Sequence, residues 1–132
     1  MRPLFAALIA LAAAWPAQAD EGAIRGVIGD QIAAFRADDF ETAFGFAAPS
    51  IRRLFGTSSN FGAMVRQGYP MVWRPGSVEY LTTTPRGAVW EQDVLVTDAG
   101  GRLHLLRYSM VETGDGWRIA GVELLRAPEV GA

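Results

Sequence analysis

The chain has 132 residues, of which 50% are hydrophobic and 20% are charged, and its formal net charge is −2. This composition is typical of a globular protein and excludes a disordered one. All twelve basic residues are arginines and they form no basic run, which argues against nucleic acid as a partner. Since the chain contains no cysteine, the fold has to be stable without disulfides and no lipid can be attached to a cysteine.

The first nineteen residues have the three parts of a secretory signal peptide. Arg2 gives a positive start, residues 4–15 form an apolar run, and Ala17 and Ala19 are the small residues that a signal peptidase reads. The apolar run is shorter than the roughly 20 residues needed to span a bilayer. We therefore expect cleavage after Ala19, which leaves residues 20–132 as one periplasmic domain without a membrane anchor.

The first half of the expected mature chain carries helical patterns. Asp39 is predicted to cap a second helix, and Asn60 a fourth. Pro49 and Gly56 are predicted to bound the third helix. Residues 69–74 are predicted to form an extended passage. The first helix is predicted from an apolar stripe at helical spacing, formed by Ile24, Val27, Ile28, Gln31, Ile32 and Phe35.

From residue 78 onward the pattern changes to β-strands separated by glycine turns. Segments 84–87, 98–101 and 113–116 each fit a type I turn followed by a left-handed glycine, which is a common three-residue hairpin loop. These turns predict an antiparallel meander of four strands, over residues 78–83, 88–97, 102–112 and 117–125.

Hairpin loops also predict which strand residues face each other, because the loop type sets the register. Tyr80 is expected opposite Gln92. Gln92 is expected opposite Tyr108, and Tyr108 opposite Val122. The predicted inner face, which the helices must cover, carries Val78, Tyr80, Trp90, Gln92, Val94, Val96, His104, Leu106, Tyr108, Met110, Ala120, Val122 and Leu124. The predicted outer face carries Glu79, Glu91, Asp93, Arg107 and Glu123, with Leu95, Leu105, Ile119 and Leu125 beside them.

Three separated blocks carry a family resemblance: residues 31–39 (QIAAFRADD), 64–70 (MVRQGYP) and 116–121 (GWRIAG). In this order they resemble a bacterial family known as domain of unknown function 4864, over residues 24–125. The resemblance implies an α+β cone of the nuclear transport factor 2-like (cystatin-like) kind, with N-terminal helices on the concave face of a curved antiparallel meander. The wider superfamily includes isomerases, dehydratases, hydrolases and binding modules, so the resemblance transfers no catalytic residue.

Few residues in the sequence are suited to catalysis. With no cysteine and only one histidine, His104, no spacing predicts a metal or cofactor site. His104 is expected at the end of the sheet, where a partly exposed histidine requires no function. The strand carboxylates are expected to point away from the cone, and capping accounts for Asp38 and Asp39. We therefore predict no acid inside the cone to shuttle a proton, and no catalytic residue.

Uncharged polar and aromatic side chains are expected inside the cone instead. Tyr80, Gln92 and Tyr108 are predicted to be adjacent across three strands. Trp90 is expected beside them, and Tyr69 and Trp73 at the mouth of the cone. The group is either core, in which buried polar atoms satisfy one another, or a small pocket for a neutral amphipathic ligand. The candidate pocket residues are Tyr69, Trp73, Tyr80, Trp90, Gln92 and Tyr108.

Three functions remain open from the sequence. The first is an exported module that binds a small molecule or a partner protein without catalysis. The second is an enzyme of the isomerase, dehydratase or hydrolase kind that works without a carboxylate base. The third is a structural homodimer that associates through the outer sheet face.

Overall fold

The computed structural model describes residues 16–125, which form five helices followed by a four-stranded antiparallel sheet. The helices are α1 (Pro16–Arg36), α2 (Phe40–Gly45), α3 (Pro49–Phe55), α4 (Ser58–Gly68) and α5 (Pro70–Trp73). The strands, in both chain and sheet order, are β1 (Pro75–Arg86), β2 (Val89–Asp98), β3 (Leu103–Thr113) and β4 (Gly116–Leu125). The predicted α+β class, with helices on one face of a curved meander, is confirmed. Within the described range, no helix is long and apolar enough to cross a membrane.

Helix α1 contributes the largest helical share of the core. Its apolar stripe faces the core, as predicted, and the helix packs against α2, α5 and β4. Removing one such aliphatic side chain from water is worth about 1.5–3 kcal/mol. The buried residues of the stripe are Ile24, Ile28, Gln31, Ile32 and Phe35, and Val27 is partly buried beside them.

The junction between α1 and α2 is a Schellman motif followed by an N-cap. The amide groups of Asp38 and Asp39 donate to the carbonyls of Phe35 and Ala34, at 3.0 and 2.9 Å. Asp38 has a φ of 55°, the left-handed conformation that this motif places after the helix. The Asp39 carboxylate accepts from the Thr42 amide at 3.2 Å and caps α2. Capping therefore accounts for the Asp39 carboxylate, as predicted, but not for that of Asp38, which accepts from Trp73 Nε1 at 2.9 Å and from the Arg74 guanidinium at 2.8 Å.

The bounds of α3 are confirmed, whereas the predicted start of α4 is wrong. Pro49 begins α3 and Gly56, with a φ of 77°, follows its last residue. Thr57, not Asn60, caps α4, because the Thr57 hydroxyl accepts from the Asn60 amide at 3.1 Å. The Asn60 side chain instead donates to the carbonyl of Phe55 at 3.0 Å.

The passage over residues 69–74 is helical in part, which corrects the prediction of an extended segment. Pro70 starts the one-turn helix α5, where its fixed φ suits the first position and its missing N–H is not needed. The Arg74 amide donates to the Pro70 carbonyl at 2.9 Å and closes the turn.

The central hairpin, β2–β3, has the predicted loop and register. Gly101 has a φ of 84°, and its amide donates to the Asp98 carbonyl at 3.0 Å. Gln92 pairs with Tyr108, and on the other face Asp93 pairs with Arg107. The Arg107 Nε–Asp93 Oδ1 distance is 2.9 Å, and Glu123 pairs with Arg107 from β4, so the outer charge ladder is confirmed.

The other two hairpin loops are shorter than predicted. Arg86 pairs with Val89, so this loop is Gly87 and Ala88 alone, and the φ of 65° at Gly87 fits the first position of a type II′ turn. Thr113 likewise pairs with Gly116, which leaves two loop residues instead of three.

Irregularities in the edge strands then shift the register again. In β1 one extra residue lies between Tyr80 and Thr83, so Gln92 faces Thr83, and Tyr80 faces Val94 instead of Gln92. In β4 a bulge compensates the shorter loop, and Tyr108 faces Val122 as predicted.

The β4 bulge also changes which side chains reach the core. Trp117 and Ile119 are buried, although the prediction placed Ile119 beside the outer face and did not include Trp117 in the inner face. Ala120, predicted on the inner face, is the extra residue, because Ser109 pairs with Gly121 and Met110 with Ile119. The outer apolar patch therefore lacks Ile119.

Candidate functional site

A cavity of about 410 Å³ lies between α3, α4 and β4, with α1 on its inner side. Cavities of this size with mainly apolar walls are typical of small-molecule sites. At its rim, Leu54 is 73% exposed although it is a large apolar residue. The lining residues are Gln31, Phe35, Ala47, Ile51, Leu54, Phe55, Phe61, Met64, Val65, Tyr69, Val72, Ile119, Gly121 and Val122.

The β4 bulge builds one wall of this cavity. Strict alternation would turn Val122 away from the side that Ile119 faces, but the extra residue brings both to the cavity. Ile119 is bonded to the α2–α3 connection on the free edge of β4. Its amide donates to the Phe46 carbonyl at 2.9 Å, and its carbonyl accepts from the Ala48 amide at 2.8 Å. The α2–α3 connection thereby fastens the strand at the cavity wall.

A cluster of phenylalanines forms the opposite wall. Phe61 of α4 lies at its centre, with ring centroids 5.9 Å from Phe35, 5.2 Å from Phe44 and 5.8 Å from Phe55. Offset and edge-on pairs of this kind stabilise the arrangement beyond the area that they bury. The wall is therefore preformed by packing among α1, α2, α3 and α4.

Two polar side chains line the cavity. Gln31 is 3% exposed, and its Nε2 donates to the Ala43 carbonyl at 3.1 Å. A carbonyl can only accept, so this contact fixes which end of the amide faces Ala43. Among residues 16–125, Gln31 Oε1 accepts no hydrogen bond. The Tyr69 hydroxyl donates to the Val122 carbonyl at 3.0 Å, so its proton is engaged within the protein.

The six residues predicted for a pocket do not all meet at this cavity. Tyr69 lines it, and Trp73 lines a separate groove. Tyr80, Trp90, Gln92 and Tyr108 line neither of these two spaces. Gln92 and Tyr108 are neighbours on adjacent strands, and half-buried Trp90 packs on Trp117 with ring centroids 5.4 Å apart.

The amide of Gln92 is used to hold the irregular segment of β1. Its Nε2 donates to the Asp93 carbonyl at 2.9 Å and to the Leu81 carbonyl at 3.4 Å. Its Oε1 accepts from the Thr83 hydroxyl and from Nε of Arg25 at 3.5 Å. This buried side chain of β2 thus joins the irregular segment of β1 through the Leu81 and Thr82 carbonyls.

Tyr108 is fully buried, and its hydroxyl has no hydrogen-bond partner in the part of the chain that the structure describes. Burial, with smaller contributions from Tyr80 and Tyr69, raises the pKa of the phenol far above its usual value. The group therefore stays neutral and is unsuited to act as a base.

The second groove, of about 440 Å³, lies where α5 meets the β2–β3 loop and contains a histidine–aspartate contact. His104 Nε2 is 2.8 Å from Asp98 Oδ2, and Asp98 Oδ1 accepts from the amides of Gly100 and Arg102. The His104 hydrogen bond, followed by the Arg102 amide, lowers the pKa of the Asp98 carboxyl. Among the described residues, no group of three or more histidine or acidic side chains is placed to hold a metal.

Part of the His104–Asp98 contact in the second groove could be predicted from the sequence. His104 lies opposite Val96 at the sheet end, as predicted. Because the three-residue loop sets Asp98 opposite Arg102, Asp98 and His104 become diagonal neighbours on the same face. The cavity residues Ile51 and Met64 were missed, and no local signal marks them, because their neighbours in space come from β4.

The chain is similar to a known protein family and to a solved structure. The family model described as Domain of unknown function (DUF4864) matches residues 17–132. A similar solved structure is that of an NTF-2-like protein of unknown function from Burkholderia xenovorans LB400. It has 18% sequence identity and a TM-score of 0.47, and the match covers 83% of this chain and 91% of that one. No curated protein matches the sequence.

Proposed function

The chain belongs to the DUF4864 family, and we propose that it is an exported, non-catalytic module that binds a small, uncharged, mainly apolar molecule. The binding site is the cavity between α3, α4 and β4. The observation that carries the proposal is a space of about 410 Å³ whose walls are apolar apart from Gln31 and Tyr69. Apolar surface that leaves water for such a space contributes about 25 cal/mol per Å².

The charge of the lining supports an uncharged ligand. None of the residues that line this cavity carries a formal charge. A charged ligand group would leave water without gaining an opposite charge, at a large cost in free energy. A neutral molecule has no such penalty.

The same lining supports binding without catalysis. Proton transfer requires a group that titrates near the working pH and reaches the substrate. Tyr69 is the one titratable side chain on the cavity wall, and its proton is engaged by the Val122 carbonyl. His104, with its Asp98 partner, lines the other groove.

Export rests on the sequence pattern before Asp20, most of which lies outside the described residues. Removal of residues 1–19 would take away only Pro16 to Ala19 of α1. All the buried stripe residues of that helix come later in the chain.

The test is a titration of the mature protein with N-phenyl-1-naphthylamine, an uncharged apolar fluorophore. We expect saturable binding to the wild-type protein. Ile51→Trp should weaken it at least about tenfold, because the larger ring occupies the cavity. Arg53→Trp is the matched control, since Arg53 lies on the same helix but is exposed and does not line the cavity. Absence of saturable binding, or equal binding by Ile51→Trp and Arg53→Trp, would refute the proposal.

A further inference from the structure

Gln31 stands apart from the other members of the α1 stripe. The remaining stripe residues are apolar, and an apolar side chain at position 31 would bury equally well on that face. Gln31 is only 3% exposed, but its Oε1 is not among the fully buried side-chain atoms without a partner, which in the described chain are limited to the Tyr108 hydroxyl. Oε1 therefore stays accessible at the cavity that Gln31 lines.

The contact with Ala43 does not by itself account for this amide. The Ala43 carbonyl also accepts from the Phe46 amide at 3.2 Å. An apolar residue in place of Gln31 would therefore leave that carbonyl hydrogen-bonded. What the glutamine adds at the cavity is Oε1, which accepts nothing from any residue between 16 and 125.

The polar side chains of the cavity offer more free hydrogen-bond acceptors than free donors. Gln31 Oε1 and the lone pairs of the Tyr69 oxygen are free to accept, whereas the Tyr69 proton is bonded to Val122. One proton of Gln31 Nε2 is engaged by Ala43, which leaves one amide proton against two acceptor groups.

We infer that the ligand donates a hydrogen bond from a hydroxyl or N–H group to Gln31 Oε1, while its apolar body fills the rest of the cavity. This inference rests on the proposed function. The ligand class is thus a neutral alcohol, phenol or N–H heterocycle with a predominantly hydrocarbon body. The bound donor would satisfy the acceptor that the fold leaves open.

The test compares 1-naphthol with 1-methoxynaphthalene, which has a similar ring body but no proton to donate. Both are titrated calorimetrically against the wild-type protein and Gln31→Met, an unbranched replacement of similar length. The two probes differ in hydration, but that difference affects both proteins equally. It therefore cancels when the affinity ratio of the two probes for the wild-type protein is divided by the same ratio for Gln31→Met. We expect the preference for 1-naphthol to fall about tenfold in Gln31→Met.

A second measurement keeps the inference testable if Gln31→Met folds poorly. In the wild-type protein, 1-naphthol should shift the side-chain amide resonances of Gln31 in ¹⁵N–¹H spectra more than 1-methoxynaphthalene does. An unchanged ratio, a loss of affinity confined to 1-methoxynaphthalene, or equal amide shifts with both probes would overturn the inference. If the ratio is unchanged in Gln31→Met and Ile51→Trp blocks both probes, cavity binding stands and only the donor requirement fails. If neither probe binds, the proposed function fails with it.

Discussion

The hydroxyl of Tyr69 donates a hydrogen bond to the carbonyl oxygen of Val122 at 3.0 Å. Tyr69 lies between α4 and α5, and Val122 lies on edge strand β4, so this bond joins the helical layer to the sheet at the cavity. Val122 follows the β4 bulge, whose extra residue is Ala120. A contact of this kind stabilises the cavity wall where the strand ladder is irregular.

Tyr69→Phe should therefore lower the free energy of unfolding by about 0.5–1.5 kcal/mol, because the Val122 carbonyl loses its side-chain donor. Urea denaturation of the mature protein measures the change. Tyr80→Phe is the control, since the Tyr80 hydroxyl makes no hydrogen bond to another described residue. Equal losses in the two variants would show that the Tyr69 bond contributes nothing specific.

Tyr108→Phe should leave stability unchanged or raise it by as much as about 1–3 kcal/mol, because the hydroxyl is buried without a partner in the described chain. The ring and its packing are retained in phenylalanine. Thermal and urea unfolding both report the effect. A clear loss of stability would mean that the hydroxyl has a partner, such as a bound water.

Leu106→Ala and Arg107→Ala differ by one position on β3 and should differ strongly in effect. Leu106 is fully buried, so its truncation should cost about 2–5 kcal/mol of unfolding free energy. Arg107 lies on the outer face in a partly exposed pair with Asp93, so its loss should be much smaller. Comparable losses would indicate that the outer face is covered, as in a dimer.

Acidification should weaken the fold through Asp98. The His104 hydrogen bond holds the pKa of its carboxyl below the usual 3.8, so its contribution is complete above pH 3.8 and is lost as the pH falls through the folded value. In His104→Ala the pKa of Asp98 should rise but stay below 3.8, since the Arg102 and Gly100 amides still donate. Carboxyl ¹³C NMR titration measures this, with Asp39 as an internal reference, because its lowered pKa derives from Thr42. An unmoved Asp98 would contradict the assigned cause.

Protein recovered from the periplasm should begin at Asp20, as mass spectrometry of the intact chain can determine. Ala19→Arg should block processing, because a signal peptidase reads a small residue there. An exported protein that retains Met1 would contradict the predicted cleavage. In the folded chain the Asp20 carboxylate accepts from Nε1 of Trp117 at 3.4 Å, so the new N-terminus would lie beside β4.

The features that were predicted correctly are those that depend on residues close together in the chain. The α1 stripe follows from the helical repeat of its apolar residues, and the Asp39 cap and the bounds of α3 follow from interactions within one turn of helix. The β2–β3 register also followed, because a three-residue loop closed by Gly101 places Asp98 opposite Arg102 and fixes every pair beyond it. The neighbours Gln92 and Tyr108 were therefore predicted correctly.

The edge-strand registers and the cavity could not be predicted, because they depend on packing between distant parts of the chain. Two-residue and three-residue glycine loops look alike in sequence, and each irregular segment is stabilised by groups that are distant along the chain. The Leu81 carbonyl in β1 accepts from Arg25 and Gln92, and Ile119 beside the β4 bulge is held by the α2–α3 connection. The cavity walls likewise come from residues spread between Gln31 and Val122. No local pattern encodes such a site, because its geometry exists only once the helices have packed on the sheet.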